Sequence, residues 1–415
     1  MRCMLLLFLA AAVVRLGWVI VRFARLAVSC ELVYPDEGVY WHLAGSLAAG
    51  EGLVDEFGFR ATYMPGYPAF LSVFVGWPRP LLWARIIQAL LGAWVAPATF
   101  LLARQWLRWS AGVGTSGRPD ARLIPVVAGL AAAVDPFLIF FSGLLLTEAL
   151  FAAVLATTWL FVVAGSDPDG TRRLRDAAAL GILLWLCVIL RPSAAILVVL
   201  APVAVVLGGR CDRRSLWTAA VVVGVIVVGL FPWALRNRTT IGQWRWLTTR
   251  GGISLYDGLR VDATGASDLA HTKTMPEVAG LDEVQWDAYF RSKAWSAVRQ
   301  NPVRVLALAV RKLRRTWSFT PNVEAYRQGP IAWISAGWMV LVLASAAIGW
   351  WVCRQAVRSW LILLLPVLAF TALHVVFVGS VRYRVPVMPM VMVLSALGLA
   401  TLWERFKPRD SQAHK

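Results

Sequence analysis

The chain has 415 residues, of which 59% are hydrophobic and only 15% charged, with 22 tryptophans and several separate apolar runs long enough to cross a bilayer. That composition excludes an ordinary soluble domain and predicts an all-α polytopic membrane protein. The net charge of +18 argues no more for nucleic acid, because the Lys and Arg mostly flank apolar runs, as residues that set membrane orientation do. Of the five cysteines only Cys30 falls outside predicted spans and cytoplasmic turns, so neither a disulfide framework nor a CxxC metal pattern is present.

The first apolar run, 4–21, resembles a signal peptide, but it carries Arg15 and lacks a small-x-small cleavage site, so it reads as a retained first span. Residues 34–68, YPDEGVYWHLAGSLAAGEGLVDEFGFRATYMPGYP, form the first polar segment. Asp36 and Glu37 lead it, Val39, Tyr40, Leu43, Ala44, Leu47 and Ala48 recur at helical spacing, and Gly50 and Gly52 end the helix. A second apolar run, 67–77, would rise only about 16 Å as a helix, too little for a core of about 30 Å. Both pieces are expected to lie at the membrane surface and hold two carboxylates against the membrane domain.

A span at 82–103 ends in a basic run with Arg104, Arg108, Arg118 and Arg122. The chain re-enters near 123, breaks at Asp135-Pro136, and passes Thr147-Glu148 before a span at 149–165 and the basic Arg172, Arg173 and Arg175. Residues 177–206 would rise about 45 Å as one helix, too much for a single crossing. They are expected to form a hairpin divided at Arg191-Pro192, with Arg210 to Arg214 on its far side. A span at 217–235 leads to the longest polar segment, 236–330, and spans at 331–352, 360–378 and 385–403 follow, with basic turns at Arg354 to Arg358 and at Arg405, Lys407 and Arg409. This threading gives about ten spans with both termini cytoplasmic. It divides the chain into an N-terminal transmembrane module (1–235, with its external loop at 34–68), an external segment (236–330) and C-terminal helices with a tail (331–415). The motif-like residues collect on the extracytoplasmic face, and no inverted repeat of the transporter kind is visible.

Two readings stand for each candidate residue. Asp36 suits a helix cap and Glu37 a helix N-terminus; equally, an ionised carboxylate there can take a proton from an incoming hydroxyl. Glu148 follows Thr147 as in a capped first turn, or faces the same cavity as a second acid. Asp135, in an apolar run, requires a partner or a cavity. Arg382 and Arg384 bracket Tyr383 in a short external loop, where arginine is disfavoured, which points to an anionic headgroup. Arg191 marks the tip of the hairpin, and Arg15 either snorkels or serves a site. Residues 301–319, NPVRVLALAVRKLRRTWSF, read as an interfacial helix that anchors to lipid headgroups or places Lys312 near a lipid phosphate. The Gly-Gly of 248–258, TTRGGISLYDG, reads as a turn over a site. His42 and His374 have no spacing that demands a metal.

In this order, PDEGVYWHLAGSLAAGEGL, MPGYPAFL, LWARIIQALLG, SGLLLTEALF, LRPSA, PWALRNRTTIG with TTRGGISLYDG, NPVRVLALAVRKLRRTW and RYRVPVMPMV resemble the bacterial branch of glycosyltransferase family 39. This is a GT-C membrane family related to the protein O-mannosyltransferases and the lipid A aminoarabinose transferase. The resemblance implies a GT-C fold with juxtamembrane helices in the first external loop, a small external loop domain, and a site at the outer surface of the cytoplasmic membrane. It implies a polyprenyl-phosphate sugar donor, with membrane lipids around it, and an acceptor glycan, lipid or protein. Asp36 would be the catalytic base or its organiser, with Glu37 beside it, and Arg382 and Arg384, with Lys312 or its neighbours, would face the lipid phosphate; the residues' own chemistry adds Arg191 to the phosphate-facing set and Tyr383, Glu148, Asp135 and Arg15 to the cavity. Arg250 and Ser254 stand where the family leads one to expect Asn-like residues. No cofactor is established by the sequence; a divalent cation could assist. The expected reaction inverts the anomeric centre. A transporter or flippase would need ionisable groups near the midplane, and a non-catalytic binder of polyprenyl-linked sugars would tolerate loss of Asp36.

Overall fold

The structure, a computed structural model, describes residues 1–23, 32, 34–111, 122–167, 174–209, 211–270, 272 and 275–407; Cys30, Arg118, Arg172, Arg173, Arg210 and Arg409 lie outside the described residues. In chain order the helices are α1 (Arg2–Phe23), α2 (Pro35–Ala48), α3 (Gly66–Ser72), α4 (Pro80–Ala93), α5 (Val95–Ala111), α6 (Leu123–Val134), α7 (Pro136–Ser142), α8 (Glu148–Gly165) and α9 (Leu174–Leu190). They continue as α10 (Ala195–Gly208), α11 (Arg213–Ile241), α12 (Gly251–Leu259), α13 (Glu283–Gln300), α14 (Pro302–Thr316), α15 (Pro330–Cys353), α16 (Val357–Val376), α17 (Val381–Arg384) and α18 (Met388–Phe406). No strand occurs among the described residues.

Among the described residues seven helical runs are long and apolar enough to cross a membrane, and the bent pair α6 and α7, taken as one span, makes an eighth. The two shorter members of the expected set are α9 and α10, joined by a 3-10 turn at Pro192–Ala194 directly after Arg191, so the 177–206 region is the expected hairpin. The final run, Val381–Phe406, has 83% of its apolar window enclosed, against 28% for α1 and for α11. The last span is therefore the centre of the bundle, and α1 and α11 form its rim. Glycine sets the spacing there. A Cβ on Gly398 would stand 1.9 Å from the Ser345 carbonyl oxygen, so α15 and α18 meet backbone to backbone, and the Ser345 and Ser395 hydroxyls hydrogen-bond at 2.7 Å.

The Asp135-Pro136 break bends the chain by 47°. A helix interrupted inside a membrane leaves carbonyls and N–H groups that need partners. Arg15 supplies one side, donating to the carbonyls of Ala132 and Ala133 at 2.9 Å each and of Ala11 at 3.2 Å. Asp135 supplies the other, accepting from the Leu138 N–H at 2.8 Å and from Trp338 Nε1 at 2.6 Å. Both residues are thus taken up by the break: Arg15 does not snorkel, and the Asp135 carboxylate does not face a cavity.

Replacing Arg15 by leucine removes three charge-assisted hydrogen bonds and one of the two cations that face Asp135. It should destabilise the bundle by about 2–4 kcal/mol, read as a lowered thermal midpoint in detergent. An unchanged midpoint would show that apolar packing alone holds the break.

Candidate active site

The first loop begins with α2. Pro35 occupies its first position, where a missing N–H costs nothing, and Tyr34 is the extended residue before it. Asp36 therefore sits inside the first turn and caps nothing. Gly50 and Gly52, at φ +82° and +81°, end the segment as the sequence predicts. The next residue after Asp36 turns elsewhere. Glu37 is fully buried, with Oε2 accepting from the Tyr34 N–H at 2.9 Å and Oε1 from the Leu145 N–H at 2.7 Å and Arg85 Nη2 at 3.3 Å. Arg85 also donates to the Gly143 carbonyl and lies 4.1 Å over the Phe23 ring. Glu37 is a strut that pins the loop to α4 and to the turn before α8. It does not line the cavity, contrary to its expected place beside Asp36.

The cavity measures about 440 Å³ and opens between α2, the Arg191 hinge, the start of α12, the end of α16 and the start of α17. Asp36, half exposed, stands on its wall and is paired with Arg382 Nη1. Arg382 Nε donates to Glu148 Oε1, and the same oxygen accepts from Arg191 Nη1 at 3.2 Å. A continuous chain of charges thus runs Asp36, Arg382, Glu148, Arg191. Thr147 makes no capping bond to α8, so Glu148 owes its place to the two arginines. Beside them Tyr383 stacks on His374, with ring centroids 3.8 Å apart and planes 2° from parallel, and the Arg191 guanidinium lies 5.3 Å from the Tyr383 ring.

The cavity is also lined by Arg250, 4.8 Å over the ring of Tyr63, which in turn meets Tyr40 edge-on. Glu283 on α13 places this part of the lining. Its carboxylate accepts from the N–H groups of Arg60 and Ala61 at 3.0 and 2.9 Å and from the Thr249 hydroxyl at 2.7 Å, binding the first loop to the segment before α12. The expected turn at 248–258 is instead mostly helix α12. Its glycines serve close packing: a Cβ on Gly252 would stand 1.9 Å from the Asp287 carbonyl oxygen, and one on Gly258 2.2 Å from that of Phe377.

Burial would raise the Asp36 carboxyl, but the charge and hydrogen bond of Arg382, with the charges of Arg250 and Arg191, hold it below its ordinary value. Burial opposes the charge on Arg250 as well, and Tyr63 and Asp36 overcome it, so Arg250 holds its proton more firmly than a free arginine. Tyr63 is pushed up by burial.

Of the expected site residues, Asp36, Arg191, Arg382 and Tyr383 line the cavity, and Glu148 lies directly behind them. Lys312 does not: its ammonium donates to the Val376 carbonyl at 2.6 Å and closes the end of α16, and burial pushes its pKa down to about 8. Arg384 points away, donating to the carbonyls of Thr316 and Ser318 and lying 4.7 Å over the Phe137 ring. Sequence reasoning gave no role to Tyr40 or Tyr63, left Arg250 unplaced and treated His374 as structural; the cavity includes all four. His42 is exposed.

The helices form a multi-pass bundle with an acid-and-arginine cluster at one set of helix ends. By sequence the chain matches no family model and no curated protein. By structure it is similar to the archaeal oligosaccharyltransferase AglB from Archaeoglobus fulgidus in complex with an inhibitory peptide and a dolichol-phosphate, at 14% identity and a TM-score of 0.58, over 97% of this chain and 50% of that one. The Archaeoglobus fulgidus oligosaccharyltransferase in complex with Zn and sulfate gives 15% identity and a TM-score of 0.59, over 96% and 49%. ArnT from Cupriavidus metallidurans, bound to undecaprenyl phosphate, gives 17% identity and a TM-score of 0.42, over 96% and 77%. The chain spans about half the length of the oligosaccharyltransferases it matches. Its fold is the GT-C fold.

The two neighbouring acids should separate in a stability measurement. Glu37→Ala takes away the carboxylate that balances the buried Arg85 charge, at a cost of about 3–5 kcal/mol and a large fall in thermal midpoint. Asp36→Asn, at a half-exposed wall position, should shift the midpoint little. Equal destabilisation by both would refute the division into strut and cavity acid.

Proposed function

We propose that the protein transfers a sugar from a polyprenyl-phosphate donor to an acceptor hydroxyl, with inversion and with Asp36 as the base, as a bacterial family 39 enzyme would. The observation that carries this reading is the half-exposed, ionised Asp36 on the wall of a cavity whose remaining charges are largely cationic: Arg191, Arg250 and Arg382. A neighbour in fold was solved with a dolichol-phosphate, which agrees with a lipid-phosphate donor.

In this mechanism the acceptor hydroxyl lies on Asp36 with its oxygen toward the anomeric carbon. The new C–O bond forms as the anomeric C–O bond to phosphate breaks; the electron pair leaves on the phosphate oxygen, and the hydroxyl proton passes to Asp36. Arg191 and Arg250 meet the charge that grows on the departing phosphate, so no acid is needed there. Arg384 and Lys312, fixed on backbone carbonyls, have no part in it. The sugar needs room more than grip. Tyr63, Tyr383 and His374 line the cavity beside that space.

Because one neighbour was solved with Zn and sulfate, a divalent cation must be tested against the residues present. They do not fit one. No group of three His, Cys, Asp or Glu that could hold a metal occurs among the described residues. Asp36 and Glu148 are both engaged by Arg382, and Asp257, the other acid on the cavity wall, accepts from the Ser267 hydroxyl at 2.6 Å and the Asp268 N–H at 2.9 Å.

We further place the site on the extracytoplasmic side of the cytoplasmic membrane, with both termini inside. Glu148 opens α8, Arg191 follows α9, His374 nears the end of α16 and Arg382 opens the last run. The opposite ends of these helices lead to Arg175, Arg358, Arg405 and Lys407, as a cytoplasmic face requires. The division at 235 and 330 follows from the same threading.

Membranes containing the wild type should transfer label from at least one member of a panel of radiolabelled polyprenyl-phosphate sugars, and well-folded Asp36→Asn should transfer none. Normal transfer by Asp36→Asn would remove Asp36 from the mechanism. Since Asp36 is held below its ordinary pKa, the acid limb of kcat/KM should lie below the usual range for an aspartate base. Arg382→Met, which takes away the strongest influence holding the carboxyl down, should move that limb to higher pH in any residual activity.

A further inference from the structure

Asp36 comes from the first loop and Glu148 from the head of α8, yet both reach one guanidinium. Two carboxylates this close, one of them fully buried, oppose each other's ionisation unless a cation stands between them. Many sites of this kind use a divalent metal, held by oxygen ligands and several waters. Here the position is taken by a side chain. Arg382 gives Nη1 to Asp36 and Nε to Glu148, and Arg191 adds a second donor to Glu148 at 3.2 Å. The other oxygen of Glu148, Oε2, is closed off from solvent and accepts no hydrogen bond, out of reach of a hydrated ion.

We propose that Arg382 is a built-in cation standing where a divalent metal would stand, so that the Asp36 and Glu148 pair binds no metal in the native protein and becomes a metal site when Arg382 is removed. The charge balance points the same way. Two acids and two arginines cancel, and Arg250 adds a further positive charge near Asp36. A divalent ion entering that cluster meets a site already neutral or positive; without Arg382 it meets one more negative by a full charge. The guanidinium keeps its proton at every physiological pH, and its planar fork suits two carboxylates at once. It is also held in place. The Ser380 hydroxyl accepts from its backbone N–H, and the next residue, Tyr383, is stacked on His374. The ionisation of Asp36 is thereby independent of metal supply. The inference bears on the proposed transfer through that acid, but it concerns the charge pair itself and can be tested without any transfer assay.

Purified full-length protein in detergent is titrated with Mn²⁺ while free ion is followed by electron paramagnetic resonance. The wild type should bind no stoichiometric Mn²⁺. Arg382→Met should bind one ion per chain, with Kd at least about tenfold below any wild-type binding, or about 1.4 kcal/mol. The double variant Arg382→Met with Asp36→Asn should lose it again. One Mn²⁺ on the wild type that Asp36→Asn abolishes would overturn the proposal, and this arm needs no Arg382 variant to fold. A folded Arg382→Met or Arg382→Gln that binds none would overturn it equally. Insensitivity of wild-type transfer to EDTA is a second expected result. Absence of transfer from every donor would count against the proposed activity and leave the Mn²⁺ outcome to decide this inference alone.

Discussion

Arg382 touches Asp36 and Glu148 at once, and through Glu148 it is joined to Arg191. These four residues belong to the first loop, the head of α8, the hinge after α9 and the start of the last span, so one hydrogen-bonded chain of charges fixes four parts of the sequence against each other. A buried ion pair of this kind adds little net stability, because desolvation offsets the attraction. What it does contribute is specificity of placement. Glu148 is fully buried and Arg191 nearly so, and an arrangement that left either without its partner would be costly, whereas half-exposed Asp36 keeps water as an alternative. The cavity exists because its walls are tied at that point.

Around it, other buried polar groups perform a different task. Arg15 and Asp135 cap the two sides of the break between α6 and α7, Lys312 closes α16, and Arg384 holds the carbonyls of Thr316 and Ser318 at the end of α14 and just beyond it. Each satisfies backbone groups that a continuous helix would have satisfied itself. In a bilayer that need is strict, since no water can substitute. A membrane protein with broken helices near its site must therefore carry charged residues that are structural, and these resemble functional ones in sequence.

That resemblance explains which parts of the site could be read from the chain. The apolar runs, the hairpin at Arg191 and the stop at Gly50 and Gly52 depend on length, charge placement and backbone freedom, which are local properties. The acid pair was also visible, but successive residues on a helix point about 100° apart. Asp36 thus reaches the cavity wall while Glu37 is driven into the packing with Arg85. The same geometry separates Arg382 from Arg384, which flank Tyr383 in sequence and face opposite ways in the fold. Arg250 was seen, but its Gly-Gly neighbours suggested a turn, because the close contact of Gly252 with Asp287 is between elements far apart in the chain.

The state of Asp36 also fits the chemistry of the proposed reaction. A base must be ionised before it can act, and a carboxylate held low by arginines is ionised at neutral pH but weak. In a displacement through an oxocarbenium-like state the acceptor hydroxyl becomes acidic only as its bond to the anomeric carbon forms. A weak base is then sufficient, because proton transfer comes late, and a stronger one would have needed the burial that raises a carboxyl pKa and removes its charge. Half exposure with arginines at its side keeps Asp36 charged in spite of the burial that would raise its pKa. Glu148, fully enclosed and shared by two arginines, is left to hold them in place.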